Sequence, residues 1–139
     1  MAVKATAKGV RISPRKVVPV AALIRGRTVE DAVVILNHTP RRAATAVRKV
    51  VESAKANAAH NHNYKPDTLR ITEIRVATGP SFKRYRPAAH GRALPFLRRS
   101  SHIYVEVEGE QRAAKKAADG KSPSNGKSST KAQTEGGKK

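Results

Sequence analysis

Val3, Ala5 and Ala7 alternate with Lys4, Thr6 and Lys8, the period-two pattern of a strand with one buried face. Gly9 interrupts it, and Val10 and Ile12 resume in the opposite phase, as a β-bulge requires. Ser13-Pro14 reads as an N-cap followed by proline at the first helical position. Val17, Val20, Ala21 and Ile24 follow at helical spacing, and Gly26 supplies a stop. Pro19, inside that helix, predicts a local distortion. Thr28-Val29-Glu30-Asp31 has the form of a capping box with the shorter acid, opening a second short helix that buries Val29, Ala32, Val33 and Leu36. Thr39-Pro40 repeats the cap-plus-proline signal and predicts a third, longer helix running to about Ala59. Its apolar stripe is Ala43, Val47, Val50, Val51, Ala54 and Ala58, and Arg41, Arg42, Arg48, Lys49 and Lys55 lie mostly off that stripe.

His60-Asn61-His62-Asn63 and Pro66-Asp67 read as a loop. Leu69 and Ile71, then Ile74 and Val76, give a strand whose phase slips at Thr72-Glu73, a second predicted bulge. A last strand runs over residues 102–108 with Ile103, Val105 and Val107 facing one way. The expected fold is therefore α+β: a small three-stranded antiparallel sheet packed by three helices. Residues 79–101, between the last two strands, are too many for an ordinary hairpin turn. Beyond about residue 110 the chain turns to Lys, Ser, Gly and Ala without aromatic or branched aliphatic side chains, the composition of a disordered tail. This divides the chain into an α+β domain at 1–109 and a tail at 110–139.

Charge changes the picture. Lys and Arg total 29 against 10 acidic residues, a formal charge of +19 in 139 residues. Such self-repulsion is costly unless a polyanion neutralises it, and nucleic acid rewards each cation that displaces condensed counterions from phosphate. No apolar run approaches the roughly 18–20 residues of a membrane-spanning helix. The first ten residues hold too few apolar side chains for a signal peptide, so a cytoplasmic location is expected. Cysteine is absent, which excludes disulfides and thiolate metal sites. The small aliphatic core leaves little room for a deep dry pocket.

The long connection is where charge and pattern meet. Residues 79–100 carry Lys83, Arg84, Arg86, Arg92, Arg98 and Arg99 and no acid, with Pro80, Pro87 and Pro95 opposing helix. Flanked by strands, it can form an extended arm with a reach on the order of 30 Å at ~3.3 Å per residue. Alone, such an arm gains too little burial to offset its ordering entropy. Docked on RNA, its arginines can pair with phosphates while Phe82 and Tyr85 stack on exposed bases. Lys8, Arg11, Arg15 and Lys16 form a second basic group beside a helix N-terminus suited to phosphate.

Gly79-Pro80-Ser81-x-Lys83-Arg84, Pro87-x-Ala89-x-Gly91-Arg92-Ala93 and Arg98-Arg99-x-Ser101-His102-Ile103 together resemble the signature of the bacterial large-subunit ribosomal protein family number twenty-two. Ser13-Pro14-Arg15-Lys16-Val17, Leu23-Ile24-Arg25-Gly26 and the Ala-rich third helix extend the resemblance over roughly residues 1–109. It implies a structural constituent of the large subunit, without cofactor or metal and not a homo-oligomer. Its implied partners are large-subunit ribosomal RNA, neighbouring ribosomal proteins and, near a constriction of the exit tunnel, the nascent polypeptide and macrolide-type ligands. The globular domain is expected near the tunnel exit and the hairpin of residues 79–101 along the tunnel wall. Its tip would be Ala88, Ala89, His90, Gly91 and Arg92. Lys83 and Arg84 stand at positions whose alteration in the family affects macrolide sensitivity. Ala88 and His90 replace basic residues common in the family, and Leu94-Pro95-Phe96 is more apolar than usual. The expected RNA-binding set is Lys8, Arg11, Arg15, Lys16, Arg41, Arg42, Phe82, Lys83, Arg84, Tyr85, Arg86, Arg92, Arg98, Arg99 and His102.

Other chemistry is thin. His60 and His62 lack a completing ligand set, since Asp67 alone is a weak third. Gly120-Lys121-Ser122 and Gly126-Lys127-Ser128 echo the end of a phosphate-binding loop, but the first glycine and the preceding strand are missing. Glu30-Asp31 suits a helix start, and Glu106 and Glu108 share a strand face. A free DNA-compacting protein is the competing binding role. A basic enzyme acting on RNA would need a general base or metal cluster that the spacing does not supply.

Overall fold

A computed structural model describes residues 2–111. Strand β1 (Val3–Val10) is followed by helices α1 (Pro14–Ile24), α2 (Val29–His38) and α3 (Arg42–Asn61), and then by β2 (Arg70–Pro87) and β3 (Ala93–Glu108). The three strands form an antiparallel sheet in the order β1-β3-β2. Val3, Ala5, Ile71, Ile74, Ile103, Val105 and Val107 face the helices and are buried. Against them lie Val17, Val20 and Ile24 of α1, Val29 and Leu36 of α2, and Val47, Val51, Ala54 and Ala58 of α3. The opposite sheet face is polar: Lys4 pairs with Glu106 at 2.9 Å, and the Arg75 guanidinium lies 5.6 Å from the Tyr104 ring centroid. One face buried and one wet is the arrangement that strict alternation encodes.

Both predicted bulges are present. The β1–β3 register shifts between Ala7 and Val10, with Gly9 at φ +71°, and the β2–β3 register shifts between Ile71 and Glu73. Thr28 caps α2 with one half of a capping box, accepting from the Asp31 backbone N–H, while its hydroxyl donates to the Asp31 carboxylate at 2.7 Å. Pro19 does not break α1; its ring lies on the exposed side and the helix continues to Ile24.

Two boundaries depart from the expectation. Thr39-Pro40 closes α2 instead of opening α3: the Thr39 hydroxyl donates to the Ile35 carbonyl at 2.7 Å, satisfying an end-of-helix acceptor, and Pro40 prevents continuation. Helix α3 then starts at Arg42 without a side-chain cap. At its other end α3 runs through His60 to Asn61, which the loop assignment missed. The turn comes at Asn63, at φ 52°, one of the few side chains that tolerate the left-handed region.

The connection of residues 79–101 forms no separate loop. Strands β2 and β3 continue into it, pairing from Ser81–Arg99 to Pro87–Ala93, so the core strands themselves extend as a two-stranded arm. Those seven pairs reach about 20 Å beyond the domain. The tip turns through Ala89–Gly91, with the Ala88 N–H donating to the Arg92 carbonyl at 2.7 Å and with His90 and Gly91 both left-handed. At the root the register slips between Thr78 and Ser81, where Ser100 Oγ donates to the Pro80 carbonyl at 2.5 Å. Gly79 has no room for a side chain there: a Cβ would stand 2.6 Å from Ser100 Oγ and 3.2 Å from its backbone carbon. Neighbouring Ser101 is fully buried and its hydroxyl has no partner among the described residues.

Beyond β3 the chain stays attached to the domain as far as Gln111. The Lys65 N–H donates to the Glu110 carbonyl at 2.9 Å, and Gln111 bridges to Tyr64. The expected disordered tail lies otherwise outside the described residues.

The root yields two opposed expectations in urea denaturation. Gly79→Ala should destabilise by about 1–3 kcal/mol through overpacking. Ser101→Ala removes an unpaired buried hydroxyl and should be neutral or stabilising by about 1 kcal/mol. A marked loss on Ser101→Ala would mean that the hydroxyl has a partner after all.

Candidate nucleic-acid interface

Where the arm leaves the domain, it forms one wall of an open cleft of about 800 Å³. Arg86, Phe96, Leu97, Arg98 and Arg99 come from the arm, and Arg11, Ile12, Ser13 and Lys16 from the turn between β1 and α1. Arg41, Arg42 and Ala43 come from the start of α3. Seven cations thus meet in one cleft that no acid lines. A smaller cavity of about 140 Å³ continues it along the root, between Arg11, Phe82, Arg84, Arg98, Arg99 and Ser100.

Two helix N-termini open at this cleft. Neither α1 nor α3 has an acid in its first turn or a side-chain cap, so their leading N–H groups add positive potential to that of the side chains. Several cations elsewhere are answered: Lys4 by Glu106, Lys55 by Glu30 at 3.0 Å, and Arg48 by Glu52 and by the Asn37 amide oxygen at 2.7 Å. No ion pair among the described residues engages Arg11, Lys16, Arg41, Arg42, Arg86, Arg98 or Arg99. The acids have been spent on the outer faces, leaving the cleft unneutralised.

Pairing gives the arm two chemically different faces. Phe82 opposes Arg98, Arg84 opposes Phe96 and Arg86 opposes Leu94; on the other face, Lys83 opposes Leu97 and Tyr85 opposes Pro95. The first face stacks guanidinium on ring, with Arg86 4.9 Å from the Phe96 centroid and Arg84 5.7 Å from that of Phe82. Each ring holds an arginine in place while leaving its N–H fork available to an oxyanion.

The expected RNA-binding residues therefore divide. Arg11, Lys16, Arg41, Arg42, Arg86, Arg98 and Arg99 converge on the main cleft, and Phe82 and Arg84 on its extension. Lys83 and Tyr85 lie on the other arm face, Arg92 at the tip, and Lys8 and Arg15 on exposed ground outside the cleft. His102 sits at the root, where its Nδ1 accepts the Gly9 N–H at 3.0 Å, so it braces the β1 bulge. Of the five basic residues expected on the third helix, Arg41 before α3 and Arg42 at its start line the cleft, and Arg48 and Lys55 make intramolecular pairs. Phe96 was not among the expected site residues. Its signal was the two-residue spacing of Leu94, Phe96 and Arg98, visible only once the segment is read as strand.

Among the described residues no three His, Asp or Glu side chains gather as metal ligands, and His62 lies 6.2 Å from the Tyr64 ring. No helix among them is long and apolar enough to cross a membrane. The glycine-lysine-serine repeats at 120–122 and 126–128 fall outside the described residues.

Comparison with known proteins gives the family. The family model described as ribosomal protein L22p/L17e matches residues 5–108. A large ribosomal subunit protein uL22 from Clostridioides difficile is 49% identical over 108 residues, covering 78% of this chain and 97% of its own length. Proteins of the same name from Desulforamulus reducens and Oceanobacillus iheyensis are each 52% identical over 107 residues, covering 77% of this chain and 95% of theirs. The match takes in all of the sheet but its first two residues, all three helices and the whole arm; the chain belongs to the ribosomal protein L22p/L17e family.

Proposed function

We propose that this protein is a structural constituent of the large ribosomal subunit in the cytoplasm that binds large-subunit ribosomal RNA through the arm and the cleft at its root. The observation that carries the reading is the cleft itself: seven cations from three separate segments, no lining acid and two uncapped helix N-termini. Enzymes gather mixed donors and acceptors around reacting atoms. A cleft of cations alone does something simpler, which is to hold phosphates.

Residues 1–109 form the RNA-binding domain in this reading, and 110–139 a basic extension. The arm explains why binding and assembly go together. Its exposed rings and arginines bury little against the protein itself, so embedding in folded RNA supplies the contacts that hold it. Projecting from the domain, the arm reaches into the subunit while the helices stay near its surface, beside neighbouring ribosomal proteins. The tip, Ala88, Ala89, His90, Gly91 and Arg92, then lines the exit tunnel. There it meets the nascent polypeptide, with Lys83 and Arg84 close enough to influence macrolide-type ligands.

Full-length protein should co-sediment with large subunits in a sucrose gradient at moderate salt. If about ten phosphates are contacted, log affinity for the ribosomal RNA should fall against log salt with a slope near −7 to −9. Recovery of the protein at the top of the gradient would sink the reading. Charge reversal by Arg42→Glu should weaken RNA binding and flatten that slope by about 1 or more. Free of RNA, the cleft cations repel one another. Shortening the Debye length from ~30 Å to ~8 Å with salt should therefore raise the melting temperature. A fall in melting temperature would contradict the uncompensated cleft.

A further inference from the structure

The cleft has two properties that attraction to a polyanion does not require. It is lined from three separate segments, with Arg86 and Arg98 on the arm, Arg11 before α1, and Arg41 and Arg42 at the start of α3. Cations brought together from three segments are best satisfied at once by phosphates that crowd close and point in different directions. A continuous A-form duplex carries its phosphates along smooth rails beside its grooves and meets such a cleft along one line. A strand that turns sharply at a bulge or junction brings several phosphates into one small space and splays them outward.

The second property is that the arm's wall is partly apolar. Phe96 is half-buried and lines the cleft, and the Arg86 guanidinium lies over its ring. Ring surface gains nothing from phosphate, but it stacks well on a base that has left its helix. The volume, about 800 Å³, falls in the range of ~300–1,000 Å³ typical of small-molecule sites, enough for a nucleotide with its neighbouring phosphates.

We infer that the cleft holds an unpaired, sharply turned stretch of RNA, with phosphates on the cations of all three segments and a base against Phe96, in preference to the side of a continuous duplex. This rests on the RNA-binding reading above and narrows it to one class of RNA structure. Phe96 becomes a base-stacking residue, and Arg41 and Arg42 become phosphate-binding residues of the same cleft.

The test uses the full chain and two labelled RNAs, a fully paired duplex and the same duplex interrupted by a short unpaired bulge, compared by fluorescence anisotropy at one salt concentration. The bulged RNA should bind about ten-fold tighter, the scale of one base–aromatic stack. Phe96→Ala should lose most of that preference, read as the ratio of the two affinities measured on the same variant, and Phe96→Tyr should retain it. Equal affinity of the wild-type chain for both RNAs overturns the inference and leaves RNA binding intact. A preference undiminished in Phe96→Ala overturns the stacking role, and failure to bind either RNA overturns both readings.

Discussion

Repulsion among the cations that line the cleft beside the arm is the constraint on which the rest of this structure depends. Seven Lys and Arg side chains converge there without a carboxylate to answer them. Their mutual energy falls off with screening but does not vanish at cleft dimensions. The domain tolerates it because its stability is generated elsewhere. The aliphatic core lies between the sheet and the helices, and the ion pairs sit on α2, α3 and the outer sheet face. Binding potential and folding energy are thus kept in different places, so a charge change in the cleft should leave the core packing alone.

The core also explains how so few aromatic residues suffice. Among the described residues only Tyr64 is a buried aromatic, and α3 packs through Ala43, Ala44, Ala54 and Ala58 between its valines. Small side chains let a helix approach a sheet closely, and the branched residues of the strands fill the space between. The aromatic rings left over stand mainly on the arm, where Phe82, Tyr85 and Phe96 are available to something other than the protein interior.

Much of this was legible in the sequence because alternation and helical spacing are local signals. Both bulges were visible as phase slips, at Gly9 and at Thr72-Glu73, and the stripe of α3 was readable residue by residue. Thr39-Pro40 misled because a threonine before proline serves equally to end one helix or begin the next, and only the hydrogen bond to Ile35 decides between them. The arm's residues were picked out by charge, but its two faces were not, since they are defined by cross-strand pairing between Arg84 and Phe96 and between Lys83 and Leu97. The cleft was beyond reach for the same reason. Arg11, Arg42 and Arg98 are far apart in the chain and meet only when β1, α3 and the arm are in place.

The arm and the sheet share a strand. β3 runs unbroken from Ala93 beside the tip to Glu108, passing through the centre of the sheet. A tug at the tip directed along that strand would load many backbone hydrogen bonds of the ladder at once, in shear, and would meet a stiff response. A sideways push would concentrate on the slipped register at Thr78–Ser81, where the ladder is interrupted. The arm is therefore a lever, firm lengthwise and compliant at its base, and its motion is tied mechanically to the middle strand of the fold.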